Sequence, residues 1–136
     1  MVKRNGNHVY FYSDTDKDSI LQLRLFFEDI LDEKQCEVTL HINSDGGEVD
    51  SALSFYDYLK TYDLPVWGKV EGHCYSSAFF ILLGCDVREM DSHSVIMTHQ
   101  MSLSMENFTP LDIIKNSAKG SYYLEHFEEK NLEKRT

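Results

Sequence analysis

The stretch EGHCYSSAFFILLG, residues 71–84, ends a strand-like segment and begins a helix-like one. Its second half is a continuous apolar run, residues 78–83, which is typical of a short helix buried on all sides. Ser76 and Ser77 stand at the junction. Because serine is a favoured helix N-cap, capping is one interpretation of the pair. A serine nucleophile at the turn is the other, and the surrounding sequence has to distinguish them.

Strand-like and helix-like segments alternate on both sides of this stretch. The predicted elements are a strand at 8–12, a helix at 19–31, a strand at 36–42, a helix at 49–59, a strand from 65, the short helix at 76–84, strands at 87–90 and 94–99, and a last helix from 109. Asp14 and Thr15 are the predicted caps of the first helix. The alternation predicts an α/β fold with a largely parallel sheet, in a single domain over residues 1–136.

Composition excludes several classes of function. The net charge is −10 and the basic residues are scattered, so the sequence predicts no nucleic-acid partner. The apolar runs are too short for a signal peptide or a membrane span, which predicts a cytoplasmic protein. The three cysteines lack CxxC spacing, and each is predicted to be a buried, reduced thiol. The histidine spacing predicts no metal site, and the glycine pattern predicts no dinucleotide or other cofactor.

Two glycine-containing turns join predicted strands to helices. In HINSDGG, residues 41–47, the turn leaves backbone amides unpaired at the start of the following helix, and glycine allows a ligand to approach them. The second turn, within VEGHCYSSAFF, residues 70–80, also joins a strand to a helix, so one amide of the first turn and the amide of Ser77 would lie at the same end of the sheet and could stabilise an oxyanion beside Ser76. An ordinary tight turn is the alternative interpretation of the glycine pair.

A serine nucleophile needs a base, and SVIMTHQM, residues 94–101, supplies a candidate. His99 stands where this apolar strand finishes. Taken alone, it could equally be a surface residue at a strand end. The flanking Cys74 and Ala78 exclude the GxSxG elbow of the α/β-hydrolases.

The segments INSDGG, GHCYSSA and IMTHQM resemble, in this order, the patterns INSPGG, GxAxSxG and MIHQP of the ClpP family, the proteolytic subunits of Clp protease. The resemblance runs from residue 8 to about 130. It implies a ClpP/crotonase-type spiral of βαβ units with a C-terminal handle-like helix. It also implies that Ser76 is the nucleophile, His99 the general base, and Gly46 and Ser77 the donors of the oxyanion amides.

The chain departs from the family pattern in its C-terminal third. The family's catalytic acid lies further beyond the histidine than Thr136, so its segment is expected to be absent. Six acidic residues are candidate substitutes for that acid, and each is predicted to lie in a surface turn or in the last helix: Asp86, Asp91, Asp112, Glu125, Glu128 and Glu129. MSLSMENFT, residues 101–109, lacks the family's glycine-bearing strand. Such a divergent sequence resembles phage-encoded members, which act in the host cytoplasm.

Three functions remain open on the sequence. The first is a serine peptidase that cleaves unfolded chains inside a homo-oligomeric ring, with or without an AAA+ unfoldase. The second is a catalytically impaired relative that joins or regulates a host Clp protease. The third, a crotonase-type enzyme acting on acyl-CoA, leaves Ser76 and His99 together unexplained. Apolar residues of the last helix favour assembly, because an extended helix of that kind needs a partner to cover it.

Overall fold

A computed structural model describes residues 1–98 of the chain, which form a six-stranded sheet and three helices. In chain order the elements are β1 (Val2–Asn5), β2 (His8–Phe11), α1 (Lys17–Asp32), β3 (Val38–Ser44), α2 (Val49–Lys60), β4 (Val66–Tyr75), α3 (Ala78–Gly84), β5 (Val87–Met90) and β6 (Val95–Met97). His99 and the predicted last helix lie outside the described residues.

The sheet has the strand order β1-β2-β3-β4-β5, and β6 pairs with β4. All pairings are parallel except the β1–β2 hairpin. β4 is long enough to pair with β5 through its first half, at Trp67–Val70, and with β6 through its second half, at His73–Tyr75. The carboxyl ends of β3, β4 and β6 therefore lie at the same edge of the sheet.

The core lies between the sheet and the helices. Alternate apolar residues of β2 and β3, such as Phe11, Leu40 and Ile42, are buried there with the apolar faces of α1 and α2. Every residue of α3 is buried, as its continuous apolar sequence predicts. Gly84 closes the contact between α3 and α2, since a Cβ there would lie 2.9 Å from Leu59 Cδ1.

Three details differ from the sequence prediction. The β1 strand was not predicted; it forms a hairpin with β2 through Gly6, whose φ is +61°. The cap of α1 is Asp16, not Asp14 or Thr15, because the Asp16 carboxylate accepts the Ser19 amide at 2.8 Å. Cys36 is exposed, so the prediction of burial holds only for Cys74 and Cys85.

None of the helices within residues 1–98 is both long and apolar enough to cross a bilayer. Over the same residues, no group of three or more His, Cys, Asp or Glu side chains is placed to hold a metal ion.

Candidate active site

The turn between β4 and α3 holds Ser76 in a left-handed backbone conformation, with φ of +55°. The Ser76 amide donates to the Met97 carbonyl of β6 at 2.7 Å, which fixes the turn against that strand. A residue other than glycine rarely adopts this conformation, and such positions cluster at functional sites. The capping interpretation fails here, because the residue at the N-cap is Ser77 and its side chain makes no capping hydrogen bond.

The turn between β3 and α2 packs directly on the Ser76 turn. Gly46 has φ of +95°, and a Cβ at this position would lie 2.9 Å from Ser76 Cβ and 3.2 Å from the Ser77 amide nitrogen. The same Cβ would lie 2.7 Å from the Tyr75 carbonyl oxygen. Only glycine fits this contact, so the two glycine-containing turns that the sequence singled out do meet in the structure.

The two predicted oxyanion amides differ in their surroundings. The Gly46 amide donates to Ser44 Oγ at 3.1 Å. The Ser77 amide has no acceptor among the described residues, 1–98. Gly46 and Ser77 are both buried. One of the two donors is therefore already engaged inside the protein, and the other is not.

Thr15 is a residue of this region that sequence reasoning missed as part of the site. Its backbone amide donates to the Gly46 carbonyl at 2.8 Å, and its carbonyl accepts the Glu48 amide at 2.8 Å. Its hydroxyl lies 2.8 Å from Ser77 Oγ. The local sequence marked Thr15 only as a candidate cap of the first helix. It does not cap that helix because its hydroxyl contacts Ser77 and the Glu48 carbonyl instead.

The predicted base and acids are only partly within the described chain. β6 ends at Met97, two residues before His99, and Met97 is the residue hydrogen-bonded to Ser76. Asp86 is exposed and accepts the Val66 amide at the start of β4, whereas Asp91 is exposed and pairs with Lys69. Both match the prediction of surface turn residues.

The other four acidic candidates, Asp112, Glu125, Glu128 and Glu129, lie outside the described residues.

An open groove of about 260 Å³ adjoins the Gly46 turn. It is lined by Tyr12, Ser13, Asp14, Asn43, Ser44, Asp45 and His73. The His73 imidazole lies 3.0 Å from the Asp45 carboxylate at its rim. Neither Ser76 nor Gly46 lines the groove, but Asp45, the residue before Gly46, does.

A second polar cluster lies on the sheet strands and was not predicted. The Glu71 carboxylate accepts the Tyr12 hydroxyl at 2.5 Å and pairs with His41 Nδ1 at 2.5 Å. Tyr10 stacks on the His41 ring with 4.3 Å between centroids. Burial by itself raises the pKa of Glu71, but the hydrogen bonds from Tyr12 and His41 outweigh it and hold that pKa below its usual value. The hydrogen bond to Glu71 raises the pKa of Tyr12 to about 12.

Comparison with solved structures places this fold beside known proteins. Similar structures include ClpP1 from Listeria monocytogenes, at 20% identity and a TM-score of 0.67, with 71% of this chain and 58% of that one covered. A point mutant of the same protein matches at 17% identity and a TM-score of 0.68, with 93% of this chain and 74% of that one covered. The ClpP protease catalytic domain from Plasmodium falciparum matches at 22% identity and a TM-score of 0.63, with 68% of this chain and 55% of that one covered. These similarities show the fold.

Sequence comparison shows the family. An ATP-dependent Clp protease proteolytic subunit from Pleurastrum terricola is 41% identical over 66 residues, 47% of this chain and 34% of that protein. This match thus covers about a third of the length of the curated relative. The sequence model of the family described as Clp protease matches residues 8–126, which is most of the chain. The protein therefore belongs to the Clp protease family.

Proposed function

We propose that this protein is a serine peptidase subunit that cleaves peptide bonds of unfolded proteins inside an oligomeric ring of Clp type. The observation that carries the proposal is the contact of Gly46 with Ser76 and Ser77, combined with the left-handed backbone of Ser76. A serine hydroxyl beside backbone amides that can hold an oxyanion is an arrangement suited to acyl transfer from an amide.

The reaction follows from the roles of four groups. Ser76 Oγ attacks the peptide carbonyl carbon while His99 takes the hydroxyl proton. The oxyanion accepts hydrogen bonds from the Ser77 and Gly46 amides, and the Gly46 amide must then turn from Ser44 or be shared with it. His99 returns the proton to the leaving amine, and water later hydrolyses the acyl group on Ser76. The chemistry needs no metal or cofactor.

Covalent labelling tests the assignment of Ser76. A fluorophosphonate probe should label the wild-type protein and fail to label Ser76→Ala. Ser92→Ala is the matched control, because Ser92 is exposed and its hydroxyl lies 3.2 Å from the His93 ring, yet it is remote from both glycine-containing turns in sequence and has an ordinary backbone. Labelling that persists in Ser76→Ala, or that disappears in Ser92→Ala, would contradict the proposal.

A second function is favoured by one observation, the internal hydrogen bond from the Gly46 amide to Ser44. If the Gly46 amide neither turns from Ser44 nor is shared with it, the oxyanion loses this donor, and the chain would then be a catalytically impaired subunit that co-assembles with or regulates a host Clp protease. A fluorogenic peptide separates the two functions. Hydrolysis by the protein alone supports the peptidase, whereas dose-dependent loss of activity of an added, active ClpP supports the regulator.

The wider context of the protein belongs to the same proposal. Its substrates would be unfolded chains, its assembly a homo-oligomeric ring, and its partner an AAA+ unfoldase or a host ClpP. The place of action would be the cytoplasm, which is the host's if the protein is phage-encoded.

A further inference from the structure

Thr15 contacts both turns of the candidate site at once. It lies between β2 and α1 and is 1% exposed. Its backbone pairs with Gly46 and Glu48, on either side of the first turn. Its side chain reaches Ser77 in the second turn, a residue 62 positions away in sequence. Thr15 thus joins the two segments that carry the candidate oxyanion amides.

The hydroxyl contact between Thr15 and Ser77 is fully enclosed. Ser77 is 0% exposed, and the two hydroxyl oxygens are 2.8 Å apart. Thr15 Oγ1 also lies 3.4 Å from the Glu48 carbonyl oxygen, so Ser77 can donate to Thr15 while Thr15 donates to Glu48. A buried hydroxyl that loses its partner keeps its desolvation penalty, which makes this pairing strongly preferred over any rotated arrangement.

Fixing the Ser77 side chain also fixes its amide. The Gly46 backbone packs against this amide, since a Cβ at Gly46 would lie only 3.2 Å from the Ser77 nitrogen. The hydroxyl pair ties Ser77 to Thr15, whose backbone is itself hydrogen-bonded to Gly46 and Glu48. Donors that are held in place before reaction stabilise a developing charge far better than donors that must reorganise.

We propose that Thr15 is a positioning residue of this site, which acts through the Ser77 hydroxyl to hold the Ser77 amide in line with the Gly46 turn. The proposal rests on the proposed peptidase function for its catalytic consequence. Thr15 itself is 1% exposed, so we expect it to act without contacting substrate. Its loss should therefore weaken stabilisation of the transition state more than binding of the ground state, and lower kcat with little change in KM.

Isosteric variants test the proposal. Thr15→Val keeps the branched shape and removes the hydroxyl, and we expect kcat on a fluorogenic peptide to fall roughly tenfold or more, with KM within about twofold. Thr15→Ser restores the hydroxyl and should recover most of kcat. The two hydroxyls act as a pair, so losing the second should matter little once the first is gone. The fold loss of kcat in the double variant Thr15→Val, Ser77→Ala should therefore be much smaller than the product of the fold losses in the two single variants.

Ser19→Ala is the control for a merely structural effect. Ser19 is buried in the capping box of α1, and its hydroxyl donates to the Asp14 carbonyl at 2.7 Å, so its loss disturbs the segment on both sides of Thr15 while leaving the Thr15–Ser77 hydroxyl pair intact. It should lower the unfolding temperature and leave kcat unchanged. The proposal is overturned if Thr15→Val keeps wild-type kcat, if it loses no more kcat than Ser19→Ala, or if Thr15→Ser is as inactive as Thr15→Val.

An NMR measurement keeps the proposal testable if the protein proves to be inactive. The proton and nitrogen shifts of the Ser77 and Gly46 amides should move in Thr15→Val and return in Thr15→Ser. If the wild-type protein neither hydrolyses peptide nor reacts with the fluorophosphonate probe, the peptidase function is refuted. The positioning role is still supported if Thr15→Val shows these shift changes. Unchanged amide shifts in Thr15→Val would refute the positioning role whatever the activity.

Discussion

Ser76 occupies a backbone conformation that costs energy and is held there by its surroundings. The hydrogen bond from its amide to Met97 and the close approach of Gly46 leave the turn no relaxed alternative. Strain of this kind, of order 1–3 kcal/mol, persists only where the rest of the structure determines it. The surrounding structure therefore determines the conformation of Ser76, and the strain can be tested by stability measurements without any measurement of activity.

Replacing Ser76 tests the strain directly. Alanine keeps a Cβ in the left-handed conformation, whereas glycine removes that penalty of about 1–2 kcal/mol and adds unfolded-state entropy that offsets part of it. We expect Ser76→Gly to be the more stable of the two variants in urea unfolding, by about 1 kcal/mol. A Ser76→Ala variant at least as stable as Ser76→Gly would show that the turn carries no such strain.

Gly46 should be intolerant of any side chain. In Gly46→Ala the new Cβ meets the Tyr75 carbonyl oxygen at 2.7 Å on a backbone with φ of +95°. The strain and the overpacking each cost about 1–3 kcal/mol, so we expect a severe loss of stability in urea unfolding.

Gly6 provides the matched control for Gly46. It also has a positive φ, +61°, but a Cβ there meets nothing within 4 Å. Gly6→Ala should therefore lose only the conformational term, about 1–2 kcal/mol. Equal losses at the two positions would mean that the contact between the turns contributes nothing.

At the scale of the elements, strand order brings the site together. The carboxyl ends of β3 and β4 are neighbours in a parallel pair, so the turns that follow them must meet. Between Ile42 and Ser44 the β3–β4 register shifts, and β4 uses two extra residues around Gly72. A Cβ at Gly72 would lie 2.8 Å from Asn43 Nδ2, so this irregularity also depends on glycine.

The sequence predicted those features that depend on local pattern. The buried helix α3 follows from its unbroken apolar run, and the alternation of strands and helices predicts that the two turns lie at one end of the sheet. The pairing of Gly46 with Ser76 was implied only by the family resemblance. Neither the Thr15–Ser77 pair nor the His41–Glu71 pair could be predicted, because each joins residues that are far apart in the chain and leaves no periodic signal. The register shift in β4 likewise depends on a contact from another strand.

The Glu71 cluster makes the stability of the sheet depend on pH. Since the pKa of Glu71 in the folded protein is below its ordinary value of 4.5, its ionised form stabilises the fold above about that pH. This contribution is lost as the pH falls through the lowered pKa. Glu71→Gln should therefore be less stable than wild type at pH 7, by about 1–3 kcal/mol, and the gap should shrink below pH 4.5.

Urea unfolding between pH 7 and pH 3 measures that gap. Asp57→Asn is the control, because Asp57 is an exposed carboxylate of α2. Its effect on the free energy of unfolding should stay small across the range. A Glu71→Gln gap that stays constant or widens on acidification would contradict the assigned direction of the pKa shift.

At the scale of the whole molecule, charge opposes the assembly that the proposed function requires. Each chain carries a net charge of −10, so copies brought together in a ring repel one another. Apolar side chains such as Trp67, Val87 and Met97 are exposed on the described strands and offer area for contact between copies. The balance of these two effects should therefore depend on ionic strength.

We expect sedimentation at micromolar concentration to show species heavier than the 15.8 kDa monomer. Their share should rise with salt, because the screening length falls from about 30 Å at 0.01 M to about 10 Å at 0.1 M. Sucrose at equal osmolarity is the control, since it does not screen charge. A monomer at every salt concentration would contradict a homo-oligomeric ring. Heavier species that dissociate as salt is added would show that ion pairs across the interface outweigh the repulsion between the chains.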